Sequence, residues 1–207
     1  MKDLFNIYVI HHPSLVERKK YLLDKFEKYN LSNIEWVDEI YPKDFLKNKI
    51  STSRMDSKNT EVSYRHYVCL EKIINGDQEY GLIFEDDVVI ELLNDFDVKD
   101  FLNMCVKKMK ENNIELCFPG ITPGIGLPST FNITDLMYHH PDNATRCAHA
   151  YIISQKCAKE FIDNFNYNVP IDHMYNYIIQ NNNIKSYYTY FGLEQGTVTG
   201  VYKSAVR

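Results

Sequence analysis

The stretch from Tyr80 to Ile90, YGLIFEDDVVI, constrains the fold of this chain more than any other. Leu82-Ile83-Phe84 and Val88-Val89-Ile90 make an apolar run of the kind carried by a strand buried on both faces. Three consecutive acids, Glu85, Asp86 and Asp87, stand inside that run. Burying even one unpaired carboxylate is costly, so three at the end of a buried strand need something to hold their charge.

The rest of the chain supplies partners for such a strand. Asn6–His12 reads as a first strand. Pro13 and Ser14 then open a helix, with Ser14 in the N-cap position and Glu17 three residues on, as in a capping box. Leu15, Leu22, Leu23 and Phe26 fall near helical spacing, and Asn30 marks the exit. Asn33–Ile40 reads as a second strand, followed by a polar loop over residues 41–59. A helix over 61–74 ends at Asn75-Gly76 and leads into the strand at Tyr80. Further on come a helix over 98–112, a strand over 114–120 and a Gly/Pro loop, GITPGIGLPST, too rich in breakers for regular structure. A strand over 148–154, helices over 155–164 and 170–181, and a closing strand in IKSYYTYF complete the series. Strands alternating with helices predict an α/β fold with a largely parallel, doubly wound sheet. No repeat or linker divides the 207 residues, so one domain is expected over residues 1–207.

A formal net charge of -5 with dispersed basic residues argues against a nucleic-acid partner held by general electrostatics. The densest basic group, Arg18-Lys19-Lys20, sits in an amphipathic helix pattern and reads as a solvated face. No apolar run approaches the ~20 residues that span a bilayer, and the N-terminus lacks a signal-peptide pattern. A cytoplasmic location is expected, with peripheral association at a membrane left open. The five cysteines, Cys69, Cys105, Cys117, Cys147 and Cys157, are odd in number and form no CxxC pair, which fits reduced, buried thiols. The triplets Asn132-Ile133-Thr134 and Asn143-Ala144-Thr145 are then chance matches to a glycosylation pattern. There is no P-loop, no serine nucleophile elbow and no zinc-type Cys/His cluster.

Ligand sites in open α/β sheets lie outside the carboxyl ends of the strands, where the three acids are expected. In extended backbone Glu85 and Asp87 share one face and Asp86 takes the other. Adjacent carboxylates repel unless a proton or cation intervenes, and a hard ion such as Mg²⁺ or Mn²⁺ takes one or two carboxylates together with substrate phosphates. The competing reading is that the acids cap the next helix or pair with surface lysines.

Four separated segments, in order, resemble the family 25 glycosyltransferases, which include bacterial lipopolysaccharide sugar transferases and collagen galactosyltransferase-like enzymes. They are IYVIHHPSLVERKKYLLDKF, SYRHYVCLEKIINGDQEYGLIFEDDVVI, RCAHAYIISQKCAKEFID and VPIDHMYNYI, with a late Gln in FGLEQG. Two positions depart from the family pattern. Arg65 precedes His66 where the family usually has Ser, and His149 stands where it favours a small residue. Residues 41–59 and 121–147 have no residue-level match.

The resemblance implies a single GT-A-like domain with a mixed, mostly parallel sheet flanked by helices. It also implies a metal-dependent inverting transferase that moves a sugar from a nucleotide sugar, a UDP sugar by analogy, to a hydroxyl of a glycan or glycoconjugate. Under it Asp87 is a ligand for Mn²⁺ or Mg²⁺, and Glu85 is a second ligand or a partner of the donor's ribose or sugar. Asp86 orients the turn or binds through water. Asp172, at the Pro-x-Asp helix start, is the candidate general base, with a helix N-cap as its competing role. His66 is a pocket residue near the donor phosphate, and Gln195 contacts nucleotide or acceptor. His149 and His173 match no ligand position. The competing functions are a catalytically silent sugar-binding module and a metal-dependent phospho- or nucleotidyl-transfer enzyme. The sequence is silent on oligomeric state.

Overall fold

The computed structural model describes residues 4–39, 57–90, 97–119, 137–139, 143–145, 148–189 and 193–203. The polar segment expected as a loop up to residue 59 lies outside the described residues as far as 56, and the chain is already helical from Ser57. The Gly/Pro loop, Cys147 and the Asn132 triplet also lie outside them.

In chain order the elements are β1 (Phe5–Ile10), α1 (Val16–Lys28), β2 (Ile34–Val37), α2 (Ser57–Ile74), β3 (Tyr80–Glu85) and β4 (Val88–Val89). Then follow α3 (Val98–Glu111), β5 (Leu116–Phe118), β6 (Met137–His139), β7 (Ala150–Ser154) and α4 (Gln155–Asp163). The last are α5 (Ile171–Asn181), β8 (Ser186–Thr189), β9 (Glu194–Gln195) and α6 (Gly196–Thr199). Seven strands form one sheet in the order β2-β1-β3-β7-β5-β8-β6, and β4 pairs with β9 in a small second sheet. The pairs β1–β2, β1–β3 and β5–β8 are parallel, whereas β7 and β6 run against their neighbours. The sheet is therefore mixed and mostly parallel.

Period-two alternation sorts the strand side chains into two cores. Phe5, Ile7 and Val9 of β1 and Leu82 and Phe84 of β3 face α1 and α3, where Leu22, Phe26, Leu102 and Val106 meet them. Tyr8 and Ile10 of β1, Ile83 of β3 and Tyr151 and Ile153 of β7 face the other way, onto α2, α4 and α5. Each fully buried Phe or Leu in these layers contributes about 1.5–3 kcal/mol. Gly81 sets the spacing on the second face, because a Cβ there would stand 2.3 Å from Ile73 Cγ1 of α2.

Helix starts follow local chemistry in two places. Asp97 accepts from Asp100 N at 3.0 Å to cap α3, and Ser154 accepts from Cys157 N at 3.1 Å to cap α4. The expected Ser14 cap of α1 is not made. The helix begins at Val16 with Leu15 in the cap position and no side-chain cap, while Ser14 Oγ lies 2.7 Å from His12 Nδ1. The face that α1 buries is Arg18, Leu22 and Phe26, and Leu23 is exposed. Four of the cysteines, Cys69, Cys105, Cys117 and Cys157, are buried and free. Asn143 is occupied by the fold, donating to Ile184 O and accepting from Ser186 N. Among the described residues no helix is long and apolar enough to cross a membrane.

Candidate functional site

The site follows from the register of two parallel strands. Ile10 of β1 lies opposite Glu85 of β3, so the residues that follow each strand, His11 and Asp86, emerge side by side. From β1 the chain passes through α1 to one neighbour, β2, and reaches β3 on the other side after α2, and these two helices cover opposite faces. Such a switch point opens a crevice at the carboxyl ends of the strands. A cleft of about 430 Å³ lies there. One wall is the start of α1 with His12, Ser14, Leu15 and Arg18; the other is α2 with Glu61, Val62 and Arg65. Glu85, Asp86, Asp87, Gln195 and Thr197 also line it.

The backbone at the acids differs from the extended run expected of the whole stretch. β3 ends at Glu85, Asp86 and Asp87 form a turn, and Val88-Val89 start β4, which pairs with Gln195 and Glu194. A strand continued through Asp87 would put Glu85 and Asp87 on one face and Asp86 on the other. The turn instead points them at three different sets of neighbours.

Asp86 points toward α1. Its Oδ1 accepts from Arg18 Nη1 at 2.7 Å, and its Oδ2 accepts from His11 Nδ1 and His12 N, each at 3.1 Å. Burial pushes this carboxyl up, and the bonds from His11, Arg18 and His12 outweigh it, leaving it below the usual carboxylate range. Arg18 is therefore not on a solvated face. It is 8% exposed, donates a second bond to Lys203 O at 2.7 Å, and lies under the Tyr202 ring at 5.1 Å. The cause is visible in the spacing: Arg18, Leu22 and Phe26 are four residues apart and fall on one helix face.

Asp87 points toward the C-terminal segment. Its Oδ2 accepts from Thr197 Oγ1 at 2.6 Å, and its carbonyl accepts from Gly196 N at 2.8 Å. Gly196 is required by this approach, since a Cβ would stand 2.9 Å from Asp87 O and 2.5 Å from the Tyr202 ring. Asp87 Oδ1 is buried without a hydrogen-bond partner. His149 comes close enough to feel the Asp87 charge; its Nε2 donates to Leu193 O at 3.1 Å and its Nδ1 is buried without a partner.

Glu85 points toward α2. Its Oε1 lies 3.0 Å from His66 Nε2, and His66 Nδ1 lies 3.0 Å from the Tyr151 hydroxyl, which in turn bonds Tyr175. Burial pushes the Glu85 carboxyl well above its usual value, and the charges of Asp87 and Asp86 add to this. Burial lowers His66 to about 3, so the ring is neutral at ordinary pH, with one nitrogen donating and the other accepting. Asp172, in the first turn of α5, is pushed up to about 6 by burial and by Glu85. Pro170 occupies the cap position of α5 and no side chain caps the helix, so Asp172 does not serve as its N-cap. The structure thus gathers Glu85, His66 and Asp172 in one electrostatic group, with Asp172 outside the lining of the cleft.

Among the described residues no group of three or more His, Cys, Asp or Glu side chains converges as a metal shell. Asp87 Oδ1, a buried oxygen without a donor beside a cleft, fits an ion held by one or two carboxylates and completed by substrate phosphates.

No family model matches the chain, and no curated protein does. Solved structures do. One is a putative glucose-1-phosphate thymidylyltransferase from Bacillus anthracis in complex with a sucrose, at TM-score 0.50 and 8% identity over 93% of this chain and 89% of that one. Another is a glycosyltransferase involved in the glycosylation of the major capsid of PBCV-1, at TM-score 0.40 and 14% identity over 75% of this chain and 61% of that one. The first is a likeness of fold: the α/β architecture is shared with a nucleotidyltransferase.

Of the residues singled out from the sequence, Glu85, Asp86, Asp87 and Gln195 line the cleft, His66 stands behind Glu85, and Asp172 lies outside the lining. Sequence reasoning missed the pairing of Arg18 and His11 with Asp86, and the contact of Thr197 with Asp87. The four-residue spacing of Arg18 from Leu22 was a usable signal. Thr197 gave none, because its approach depends on the β4–β9 pairing of distant segments.

Proposed function

We propose that the chain is a glycosyltransferase of the kind its family 25 resemblance implies. It would move a sugar from a nucleotide sugar, a UDP sugar by analogy, to a hydroxyl of a glycan or glycoconjugate, with inversion and with Mn²⁺ or Mg²⁺. The observation that carries this reading is the partnerless, buried Asp87 Oδ1 at a switch-point cleft, one turn from a Glu85–His66–Asp172 group. When bound, the cation offsets the charge that builds on the departing diphosphate. Asp87 would hold it through Oδ1, while the Thr197 hydroxyl fixes the other carboxylate oxygen.

In this reading Asp172 is the general base. A carboxyl near pH 6 is mostly ionised at neutral pH and still basic enough to accept the proton of an attacking hydroxyl. The acceptor then lies on the α5 side of Glu85. Neutral His66 fixes Glu85 from behind, with the Tyr151 and Tyr175 hydroxyls setting the ring orientation. Glu85, whose carboxyl is pushed up by burial and by the charges of Asp87 and Asp86, faces the donor's ribose or sugar. Gln195 offers an amide to nucleotide or acceptor from the β9 edge.

A second reading, nucleotidyl transfer, draws support from the thymidylyltransferase fold likeness. Screening purified protein against a panel of nucleotide sugars, with and without Mn²⁺, separates the readings. Cation-dependent release of nucleoside diphosphate from one donor supports sugar transfer. Pyrophosphate release from a nucleoside triphosphate and a sugar phosphate, with no glycosidic bond formed, supports the second reading. Donor binding without release under any acceptor supports a silent sugar-binding module, and no binding at all sinks all three.

A further inference from the structure

Arg65 is unaccounted for by the chemistry above. It lies on α2, is 3% exposed, and lines the same cleft as the start of α1. A guanidinium carries five N–H donors and stays charged in any protein environment. Yet its Nε is buried without a partner, and its ion-pair partner among the described residues is Glu61, one turn earlier, with Nη2 to Oε2 at 3.6 Å. That separation is too long for a hydrogen bond. Arg18, the other arginine of the cleft, is fully engaged: Nη1 is on Asp86 and Nη2 on Lys203 O. A buried guanidinium with unused donors is costly unless a ligand completes it, and the group that matches its planar fork is a phosphate or carboxylate.

The opposite wall supplies a second, independent pull on an anion. Helix α1 has no side chain capping its first turn, and Ser14 and Leu15, which lead into that turn, line the same cleft. Uncapped first-turn N–H groups carry partial positive charge. The acids on the cleft floor do not cancel this attraction evenly. Asp86 is paired with Arg18 at 2.7 Å, which leaves Glu61, Glu85 and Asp87 as the cleft carboxylates that compete for cations.

We infer that Arg65 and the uncapped start of α1 form a two-sided oxyanion site for the diphosphate of the nucleotide donor. Asp87, through Oδ1, would hold the cation that accompanies that diphosphate. The inference rests on the nucleotide-sugar reading of the cleft. Glu61 acts as the occupant in the absence of substrate: its carboxylate holds the guanidinium weakly and yields it to the phosphate.

Calorimetric titration of UDP, GDP and TDP in the presence of Mn²⁺, each with its matching nucleoside as control, tests this. For the best-bound diphosphate, Arg65→Gln is expected to weaken binding about ten- to a hundredfold while leaving nucleoside binding within about twofold. Glu61→Gln is expected to tighten the same diphosphate several-fold, an effect that impaired folding cannot produce. Arg65→Lys should recover part of the lost affinity, because a lysine restores the charge without the fork. Equal diphosphate affinity in wild type, Arg65→Gln and Glu61→Gln would overturn the inference and leave the donor reading standing. Equal loss of nucleoside and diphosphate in Arg65→Gln, with no gain in Glu61→Gln, would make Arg65 a structural residue. If the wild-type protein binds none of the three diphosphates, the donor reading fails and the inference fails with it.

Discussion

Asp86 and Asp87 are consecutive residues with the same side chain, and the fold treats them in opposite ways. Asp86 receives three donors from the protein, two of them from the side chains of Arg18 and His11, and its charge is consumed within the wall between β1, β3 and α1. Asp87 receives one hydroxyl and keeps a buried oxygen with nothing on it. Glu85, one residue earlier, faces a neutral histidine, and burial together with the charges of Asp87 and Asp86 pushes its carboxyl upward. A run of three acids is therefore three different devices. Asp86 has both oxygens bonded within the wall, whereas Glu85 meets one histidine and Asp87 keeps one oxygen unbonded.

The largest effect expected from breaking this comparison falls on stability. Asp86→Ala leaves the Arg18 guanidinium buried without its carboxylate, a loss of about 3–5 kcal/mol. Urea unfolding with an unchanged slope and a lowered midpoint is the measurement. The pH dependence sharpens it. Because the folded Asp86 carboxyl lies below its unfolded value, its contribution is present above the ordinary carboxylate range and is lost as pH falls through the folded value. The stability gap between wild type and Asp86→Ala should thus narrow in acid, and a gap that stays constant there would mean that Asp86 acts by packing alone.

Asp87→Asn should behave in the opposite manner. It keeps an acceptor for Thr197 and removes no buried ion pair, so stability should change by less than about 1 kcal/mol while donor turnover falls about 100- to 1000-fold. A variant that unfolds as readily as Asp86→Ala would erase the distinction drawn between the two residues.

A smaller, graded effect concerns Asp172. With its carboxyl near 6, kcat/KM should fall about tenfold per pH unit below pH 6 and level off above it. Asp172→Asn should lack that limb. A limb that persists in the variant would move the general base elsewhere, with Glu85 the next group to examine. The smallest effect expected is at α1: Leu23→Gln on the exposed side should change stability by less than about 0.5 kcal/mol, against about 2–5 kcal/mol for Leu22→Ala one residue away.

The unequal legibility of these features has physical reasons. The helices and the central strands follow from local periodicity, and β1, β7, α2, α4 and α5 lie within a few residues of their expected bounds. A largely parallel sheet followed from their alternation, and its mixed character was what the family resemblance implied. What failed was the reading of a continuous strand through Ile90, because apolar residues flank the acids on both sides and nothing local marks a turn at Asp86-Asp87. The short strands β4, β6 and β9 were illegible for a related reason. Each is stabilised by a partner far away in sequence, as Val88 is by Gln195, and two or three residues carry no period of their own. Arg18 was misjudged because its charge was weighed above its position on the Leu22–Phe26 face. Asp172 kept two possible roles in the sequence until Pro170 was found in the cap position.

The central claim is that Asp87, unlike its neighbour, is left open for a cation that arrives with the nucleotide. Electron paramagnetic resonance of Mn²⁺ tests it most directly, recorded with a bound nucleoside diphosphate and with either wild-type protein or Asp87→Asn. The account predicts that wild type converts the signal of the Mn²⁺–nucleotide complex into that of a protein-bound ion at stoichiometric concentration, and that Asp87→Asn does not. Identical spectra for the two proteins would contradict it.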